Sequence, residues 1–506
     1  MTSGSEAADR PNVLFLAVDD MKDWVNCLGG YEGTVKTPNI DRLASQGTLF
    51  TNAHCASPKC APSRAAIMTG LRPSTTGLYD NGHWWLPNHP EILTLPVYFK
   101  SIGYNVFGAG KIFHHTAGNN PPNQWDDFQR LLFRNDPWFR GSKKNYPWSR
   151  VEEFPLEFPF SKVSGLGHEN DWGSLAIEAE QYDDALTAQY AVDFLEGRGF
   201  AGKTVGRPFF LACGIFRPHL PWYVPKEFFE LYPIDEVALP QVLEGDLEDI
   251  PAAGKAFAKA RQTDLESIRK AGRYRDAVQA YLASISYADY QVGRVLSALD
   301  FSHYANNTIV VLWSDHGWHL GEKGHWHKTT LWEEATRVPF IWRVPGFAPM
   351  QHDESVSILV IFPTLVDLCD DGAPDPGNFE LLPLQKKQLG ELDGESLIRL
   401  LRDANSIRET PAVIEFRRGN AAIRSQRYRY IRYADGSEEL YDHKTDSYEW
   451  KNLASKPQLQ TTKNKLAEWL PINWAPDAET KNAFEFDPEL FRWKHKASGR
   501  TVDGNE

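Results

Sequence analysis

The sequence has few cysteines, and they are spread singly along the chain. Five occur among 506 residues, and no two of them form a CxxC pair. A small disulfide-stabilised scaffold needs a dense, even-numbered set of cysteines, and a structural zinc site needs closely spaced ones. Both classes of protein are therefore excluded.

Long apolar runs and long basic runs are also absent. No stretch approaches the roughly 18 to 20 apolar residues that cross a bilayer, so no membrane span is expected. The formal net charge is −13, whereas nucleic acids and anionic membranes bind to basic surfaces. No nucleic-acid partner is expected, and an anionic ligand would need positive charge that is concentrated locally.

The first residues, MTSGSEAADRP, lack the basic and apolar regions of a signal peptide. A protein whose leader had been removed would look the same. The sequence therefore leaves two locations open. We expect a periplasmic or secreted protein if a leader was removed, and a cytoplasmic one otherwise.

What the sequence does contain is an alternation of apolar strands and helical segments. Continuous apolar runs occur at 11–20, 207–216 and 308–317, and such runs are typical of buried parallel strands. Segments with helical spacing lie between them, the longest at 273–300. The alternation predicts an α/β fold with a mostly parallel central sheet and helices on both of its faces.

Local end signals predict two short helices near the start of the chain. Thr37, followed by Pro38, favours a helix start with Thr37 as the N-cap, and Gly47 predicts the helix end. TLFTNAH (48–54) then predicts a strand, and PSRAAIMTG (62–70) predicts a second short helix.

The sequence pattern changes after about residue 375. Segment 411–442 has strand-like stretches separated by Gly-Asn and Asp-Gly turns, and a helix is expected near 457–470. We predict a catalytic α/β domain over 1–375 and an α+β subdomain over 376–506, built on a small antiparallel sheet. Residues 115–180, rich in Pro, Trp and Asn, predict a long insertion over the cleft.

Two predicted strand ends carry groups that could bind a metal ion, Asp19-Asp20 and Asp315-His316. Open α/β sheets place ligands at the carboxyl ends of their strands, and adjacent carboxylates repel unless a cation lies beside them. Three carboxylates and an imidazole suit a divalent ion. Acids at strand ends also cap helices or lie in surface loops, and spacing alone gives the two interpretations about equal weight.

A second candidate site begins at Cys60, which stands at the start of the predicted helix with Arg64 one turn further on. Helix N-termini and nearby cations both favour anionic groups. The arrangement predicts an anion-binding pocket with a nucleophile position. From these residues alone, a buried structural cysteine is an equally good interpretation.

The string CAPSRAAIMTG (60–70) resembles the signature of the formylglycine-dependent sulfatases, a family of the alkaline phosphatase superfamily. PNVLFLAVDD, TPNIDRLASQGTLFTNAH, SDHGWHLGEKGHWHK and ELYDHKTDSYEWKNLA resemble further segments of that family. RPSTTGLYDNG, GAGKIFHH and FRPHLPWYVPKEFFELYP are most similar to its iduronate-2-sulfatase-like branch. The resemblance covers nearly the whole chain and implies an alkaline-phosphatase-like fold.

The resemblance also implies cofactors. A formylglycine-generating enzyme would oxidise Cys60 to formylglycine, whose hydrate is the nucleophile of the family. The implied ligands of a divalent cation, beside the modified residue, are Asp19, Asp20, Asp315 and His316. That cation is calcium in most relatives. Because His316 stands where many sulfatases have Asn, and imidazole is a softer ligand than an amide oxygen, Mg²⁺ and Mn²⁺ stay open.

Other roles follow from the same resemblance. Arg64 would hold the hydrated aldehyde. The side chains implied around the sulfate group are Lys111, His114, His219 and Lys328. Among them, His219, or alternatively Lys328, would protonate the leaving alcohol, and His114 would take a proton from the hydrate.

Two further residues are candidate substrate contacts. Arg217, directly before Pro218-His219, would meet a carboxylate through a bidentate hydrogen bond, although an ordinary surface charge is an equal alternative. Trp318 would contact the substrate from the loop after the late strand.

The expected function is hydrolysis of sulfate esters on a carbohydrate, such as a 2-O-sulfated uronic acid or a related polysaccharide unit, as in polysaccharide degradation. The alternative keeps the scaffold and changes the substrate to phosphonate or phosphate diesters. A third hypothesis is a protein that binds sulfated glycans and whose site is never matured. The expected partners are a sulfated saccharide and the formylglycine-generating enzyme.

Overall fold

The computed structural model describes residues 10–129, 159–175, 179–200, 206–370 and 380–506. Its strands are β1 (Asn12–Val18), β2 (Thr48–Phe50), β3 (Ala53–His54), β4 (Asn105–Gly110), β5 (Asp127–Gln129), β6 (Trp172–Leu175), β7 (Phe209–Ile215), β8 (Trp222–Pro225), β9 (Thr308–Ser314), β10 (His319–Leu320), β11 (Trp326–His327), β12 (Phe340–Arg343), β13 (Met350–His352), β14 (Val356–Ser357), β15 (Ala412–Glu415), β16 (Ala421–Arg424), β17 (Tyr428–Arg432), β18 (Glu438–Asp442), β19 (Phe484–Asp487), β20 (Arg492–His495) and β21 (Thr501–Asp503).

Its helices are α1 (Pro38–Gln46), α2 (Cys60–Thr69), α3 (Pro73–Thr76), α4 (Trp85–Asn88), α5 (Leu95–Ser101), α6 (Asp183–Leu195), α7 (Lys226–Glu230), α8 (Ala252–Lys259), α9 (Gln262–Lys270), α10 (Tyr274–Asp300), α11 (Glu333–Thr336), α12 (Ile361–Cys369), α13 (Pro383–Leu389), α14 (Ile398–Arg402) and α15 (Gln460–Ala467). In the part of the chain that the structure describes, no helix has both the length and the apolar character needed to cross a bilayer.

The central sheet has eight strands in the order β13-β2-β12-β9-β1-β7-β4-β5. β1 lies at its centre and runs parallel to β7 and β9. β12 is antiparallel to both β9 and β2. The predicted mostly parallel sheet is confirmed, with β12 as the strand that reverses direction.

Helices cover both faces of this sheet, as predicted. Successive side chains of a strand point to opposite faces, and β1 is buried on both. Phe15 packs in a core that also contains residues of α2, α5 and α12. Leu14 and Leu16 pack in a second core with residues of α1, α6 and α10. The two cores hold the central strands rigidly, and with them the strand ends that carry the candidate site.

The predicted C-terminal antiparallel sheet is confirmed as β15-β16-β17-β18. Leu466 of α15 packs in a core together with residues of that sheet. A further antiparallel sheet, β19-β20-β21, was not predicted. Its Trp493 lies 6.3 Å from the ring of Trp84. The alternation of aromatic and charged residues in FEFD and RWKH was the available sequence signal.

Four predictions need correction or fall outside the described residues. The strand predicted over 48–54 is divided into β2, which pairs with β12 and β13 in the central sheet, and β3, which pairs with β14 outside it. α2 begins at Cys60, two residues before the predicted start. The predicted domain boundary lies within 371–379 and much of the predicted insertion within 130–158, both outside the described part of the chain.

Thr37 and Gly47 stand at the N-cap and C-cap positions of α1, as predicted, but the side chain of Thr37 does not make the expected capping bond. Its hydroxyl accepts the N–H of Asn26 at 2.9 Å and does not cap α1. The carboxylate of Asp289, from α10, instead accepts the N–H groups of Asn39 at 3.1 Å and Ile40 at 2.8 Å. A distant helix supplies the acceptor, so rules based on neighbouring residues could not identify it.

Candidate active site

The candidate site forms where adjacent parallel strands end together. β1 and β9 are in register, with Val18 opposite Ser314. The next residues of each strand, Asp19 and Asp315, therefore leave the sheet side by side. This carboxyl edge is where open α/β sheets bind ligands.

Helix α2 brings Cys60 to the same edge. Its Sγ lies 3.3 Å from Nε2 of His316 and 3.9 Å from Oδ1 of Asp20, and the residue is only 1% exposed. Ser63 fixes the helix on the sheet, because its hydroxyl donates to the carbonyl of Asp315 at 2.6 Å. The potential ligand atoms that all lie within 4.8 Å of one another come from Asp20, Cys60, Asp315 and His316.

Arg64 connects the acids of this cluster to the sheet. Its Nε donates to Asp315 at 2.8 Å and one terminal nitrogen donates to Asp19 at 3.0 Å. The other terminal nitrogen donates to the carbonyls of Lys111 and Ile112. These four bonds use four of the five N–H donors of a guanidinium. Arg64 thus orients the carboxylates and keeps one N–H for another partner.

The carboxylates are fully buried, and even with Arg64, Lys111 and Lys328 beside them burial disfavours the ionised forms of two of the three acids. Burial raises the pKa of Asp19 to about 7, and the charge of Asp315 adds to that effect while Lys111 and Arg64 oppose it. Burial likewise raises the pKa of Asp20. A buried group whose ionised form is disfavoured gains stability when another cation approaches. The donor set therefore fits a divalent cation.

His316 is oriented as a metal ligand would be. Its Nδ1 lies 3.1 Å from the carbonyl of Gly317, which fixes the proton on that nitrogen. The lone pair of Nε2 then faces Asp20 at 3.3 Å and Cys60. Burial lowers the pKa of His316, which favours the neutral form that binds metals.

Two lysines add positive charge on either side of the cluster. Nζ of Lys328 donates to Asp20 Oδ1 at 2.6 Å and lies 3.0 Å from Sγ of Cys60. Lys111 is fully buried and its Nζ bonds to Asp19. The structure therefore brings both predicted lysines into the site.

The two predicted histidines line the same region. Nε2 of His219 lies 3.7 Å from Oδ2 of Asp20, while its Nδ1 bonds to the carbonyl of Leu220. Nδ1 of His114 lies 2.9 Å from the hydroxyl of Thr116. Burial, with the charges of Lys111 and Lys328, lowers the pKa of both histidines well below the usual value. The lowered pKa favours the neutral ring in both histidines.

The two predicted substrate contacts lie deeper than expected. The guanidinium of Arg217 is buried and donates to the carbonyl of Tyr223 at 3.2 Å, and its backbone N–H bonds to Asp184. Trp318 is 1% exposed, with Nζ of Lys328 5.4 Å from its ring centre. Their role in substrate binding stays a prediction, since both side chains contact the protein here.

Sequence reasoning missed two residues that support the site. Lys22 is fully buried and donates to Glu322 at 3.0 Å, which ties the chain after β1 to the loop after β9. The amide oxygen of Asn81 accepts the N–H of Ala61 at 2.9 Å, at the start of α2. Lys22, two residues after Asp20, was a usable signal, whereas Asn81 lies in RPSTTGLYDNG, whose resemblance to the family gave that residue no role.

Comparison with known proteins identifies the family. The profile described as "Sulfatase" matches residues 11–371, and the profile "N-sulphoglucosamine sulphohydrolase, C-terminal" matches residues 321–473. A sulfatase of Formosa agariphila is 38% identical over 94% of this chain and 90% of its own length. Human iduronate 2-sulfatase is 36% identical over 68% of this chain and 62% of its own length.

A solved structure supports the fold. The phosphonate monoester hydrolase of Agrobacterium radiobacter superimposes with a TM-score of 0.68 and 22% identity, covering 95% of this chain and 99% of that protein. The α/β fold is thus the alkaline-phosphatase-like one, and the family implies a divalent metal and a formylglycine. On the profile match and the 38% identity over nearly its full length, the chain belongs to the sulfatase family and is a sulfuric ester hydrolase.

Proposed function

We propose that this sulfatase removes a sulfate ester from a sulfated saccharide, with formylglycine formed from Cys60 and a divalent cation, most simply Ca²⁺, beside it. One observation carries the proposal. The ligand atoms of Asp20, Cys60, Asp315 and His316 lie within 4.8 Å of one another, although two come from each end of a long stretch of chain. That convergence supports a single metal and nucleophile site.

The chain holds the proposed groups as follows. Asp20, Asp315 and His316 would bind the cation directly, with Asp19 positioned beside them by Arg64 and Lys111. A hydrated aldehyde with its metal supplies an oxygen nucleophile at neutral pH and a second hydroxyl through which sulfate is released. All other steps depend on side chains of this chain.

Lys111 and Lys328 would balance the negative charge of the sulfate group. Both ammonium groups lie beside acids of the cluster, so they are fixed before substrate arrives. Donors that are already oriented stabilise the charge that spreads over the sulfate oxygens in the transition state. The contact of Lys328 with residue 60 and of Lys111 with Asp19 supports this role.

Two histidines would move protons. His114 is neutral because its pKa is lowered, and a neutral imidazole can accept a proton from the nucleophile's second hydroxyl. His219 would protonate the leaving alcohol. Its pKa is also low in the free enzyme, but a bound sulfate ester adds negative charge close to it, which favours the protonated ring. Lys328 is the alternative donor.

The proposed substrate class is inferred from sequence similarity. Human iduronate 2-sulfatase shares 36% identity with this chain, and its name supports a sulfated uronic acid, with a 2-O-sulfate as the first candidate. The alternative is hydrolysis of phosphonate or phosphate diesters, which the likeness to a phosphonate monoester hydrolase keeps open at the level of the fold.

Mass spectrometry and a substrate panel test the proposal together. The peptide containing residue 60 should show the mass change from thiol to aldehyde when the protein is coexpressed with a formylglycine-generating enzyme. That preparation should hydrolyse a 2-O-sulfated uronate disaccharide faster than phenyl phosphonate esters, with Cys60→Ala as the inactive control. Faster turnover of the phosphonate would favour the alternative, and turnover without any change at residue 60 would exclude formylglycine.

A further inference from the structure

The segment that carries Lys328 has an unusual backbone. Its two neighbours, His327 and Thr329, have φ angles of 91° and 77°. Residues with a Cβ rarely occupy this region, and a β-branched threonine there is an outlier. Such positions persist where the surrounding structure enforces them. The contacts that enforce this conformation should therefore be identifiable.

The first contact comes from helix α8. Nδ1 of His325 lies 2.7 Å from the carbonyl of Ala258, and its Nε2 lies 2.7 Å from the carbonyl of Lys328. Ala258 is in the last turn of α8, where carbonyls have no partner within the helix. The imidazole of His325 thus lies between the end of a helix and the backbone of Lys328 itself, and a neutral ring, which has one N–H, donates to one of these two carbonyls at a time.

The second contact comes from helix α9. Nε2 of His327 lies 2.9 Å from Oδ2 of Asp264, in the first turn of that helix. The other side of the His327 ring packs on Trp318 at 4.6 Å. Trp318 is also the ring that Nζ of Lys328 faces. Asp264 therefore fixes the residue before Lys328 and the aromatic surface along which its side chain extends.

The third contact ties the segment to the nucleophile. The N–H of Thr329 donates to the carbonyl of Pro58 at 3.1 Å, two residues before Cys60. Lys328 is thus fixed between the α8–α9 helices on one side and the chain that leads to Cys60 on the other. Its ammonium reaches both oxygens of Asp20 from this position, at 2.6 and 2.8 Å.

We propose that Asp264–His327 and Ala258–His325 form a clamp that positions Lys328 against Asp20 and residue 60. The clamp residues are positioning residues, since none of them touches the metal and nucleophile cluster in the contacts described. The inference rests on the proposed role of Lys328 in sulfate hydrolysis. It goes further by assigning the α8–α9 helices a part in the rate of the reaction.

Asp264 offers the clearest test, because its substitution removes the hydrogen bond with His327 that helps to hold the strained backbone. Asp264→Ala should lower kcat for 4-nitrophenyl sulfate about 10- to 100-fold, the range for a misplaced catalytic group, with a smaller change in KM. Asp264→Asn keeps an acceptor oxygen and should recover most of the rate. Glu266→Ala, at an exposed position of the same helix, is the matched control and should stay near the wild-type rate.

A double-mutant cycle with Lys328→Ala separates positioning from general stability. If the clamp acts through Lys328, Asp264→Ala should cause no further loss of kcat in the Lys328→Ala background. Hydrogen exchange at the amide of Thr329 should also become faster in Asp264→Ala, and this readout does not depend on maturation of residue 60.

Three outcomes would overturn the inference. Equal losses from Asp264→Ala in both backgrounds would show that Asp264 acts independently of Lys328. An unchanged kcat with unchanged exchange at Thr329 would show that the clamp does not hold the segment. If Lys328→Ala itself left turnover unchanged, the proposed role of Lys328 would fail first, and the clamp would have no function to serve.

Discussion

Arg64 acts mainly on the carboxylates of the site. The resemblance to the sulfatases implied that it would hold the hydrated aldehyde, yet its described hydrogen bonds go to Asp19, Asp315 and two backbone carbonyls. The four bonds fix the guanidinium, and its fifth N–H leaves the predicted contact with the hydrated aldehyde open. Its main effect is to set the separation of two acids that repel each other.

Replacing Cys60 should separate activity from folding. Cys60→Ala should abolish sulfate hydrolysis, since alanine cannot be oxidised to an aldehyde. The side chain is small and begins a helix that Ser63 and Asn81 also hold, so thermal unfolding should stay close to that of the wild type. Measurable turnover in this variant would contradict the nucleophile assignment.

The identity of the proton donor should appear in the dependence on the leaving group. A nitrophenolate departs without help, whereas a sugar alkoxide needs a proton. General acid catalysis commonly contributes about 10² to 10⁴ in rate, so His219→Ala should lose roughly that factor on a sugar sulfate and much less on an aryl sulfate. The measurement is kcat/KM for both substrates.

Lys328→Ala is the matched comparison for the proton donor. If the His219 variant lost equal factors on both substrates, His219 would bind sulfate instead. A loss confined to the sugar sulfate in the Lys328 variant would then make Lys328 the proton donor.

Helix α1 depends on a residue far along the chain. The Asp289 carboxylate accepts the N–H groups of Asn39 and Ile40, and burial raises the pKa of Asp289 to about 6. Asp289→Ala leaves buried donors unpaired and should lower the free energy of unfolding by about 2 kcal/mol. Urea denaturation measures the change. Asp276→Ala, on the same helix beside Arg273, should have little effect, and equal losses in the two variants would contradict the capping role.

At the level of secondary structure, the sequence predicted the strands and helices that have a regular pattern of apolar residues. The runs that became β1, β7 and β9, and the spacing that became α10, were recognisable because burial on both faces selects apolar residues at every position of a strand. The antiparallel direction of β12 was not predictable. A strand's direction depends on which partner it meets, and neither FIWR nor its flanking residues encode that partner.

The candidate site was predictable to a similar extent and for a related reason. Asp19, Asp20, Asp315 and His316 directly follow apolar strands, so their side chains had to emerge at one edge of the sheet. Nothing in the sequence marked the supporting residues Asn81 and Asp264 for these roles. Their roles follow only from the packing of distant segments, which no sequence window contains.

For the whole molecule, docking of the C-terminal sheet involves a buried acid. Glu415 ends β15, is 0% exposed, and accepts the N–H and hydroxyl of Ser74 at 2.6 and 2.8 Å. Burial raises the pKa of Glu415 from 4.5 to about 7. Because the pKa of Glu415 is higher in the folded state than in the unfolded state, the contribution of Glu415 to stability is complete below pH 4.5. It is lost as the pH rises to about 7.

Glu415→Gln should remove this pH dependence. The difference in free energy of unfolding between Glu415→Gln and the wild type should change as the pH rises from 5 to 8. Over this range the variant should gain up to about 3 kcal/mol relative to the wild type. Urea denaturation at the two pH values measures the shift, and Glu409→Gln, at an exposed position, is the control. An identical difference at both pH values would contradict the assignment.

The burial of Cys60 in the folded protein also bears on when its thiol can be reached while the chain is being synthesised. Its sulfur is buried against His316, which follows 256 residues later in the chain. A ribosome adding about 5 to 20 residues per second needs roughly 10 to 50 s to cover that distance. During that interval the thiol has not yet met the residues that enclose it. If Cys60 is oxidised to formylglycine, as proposed, its thiol stays open to the oxidising enzyme at least until His316 has been synthesised, and slower translation between the two positions should raise the fraction of molecules that mature.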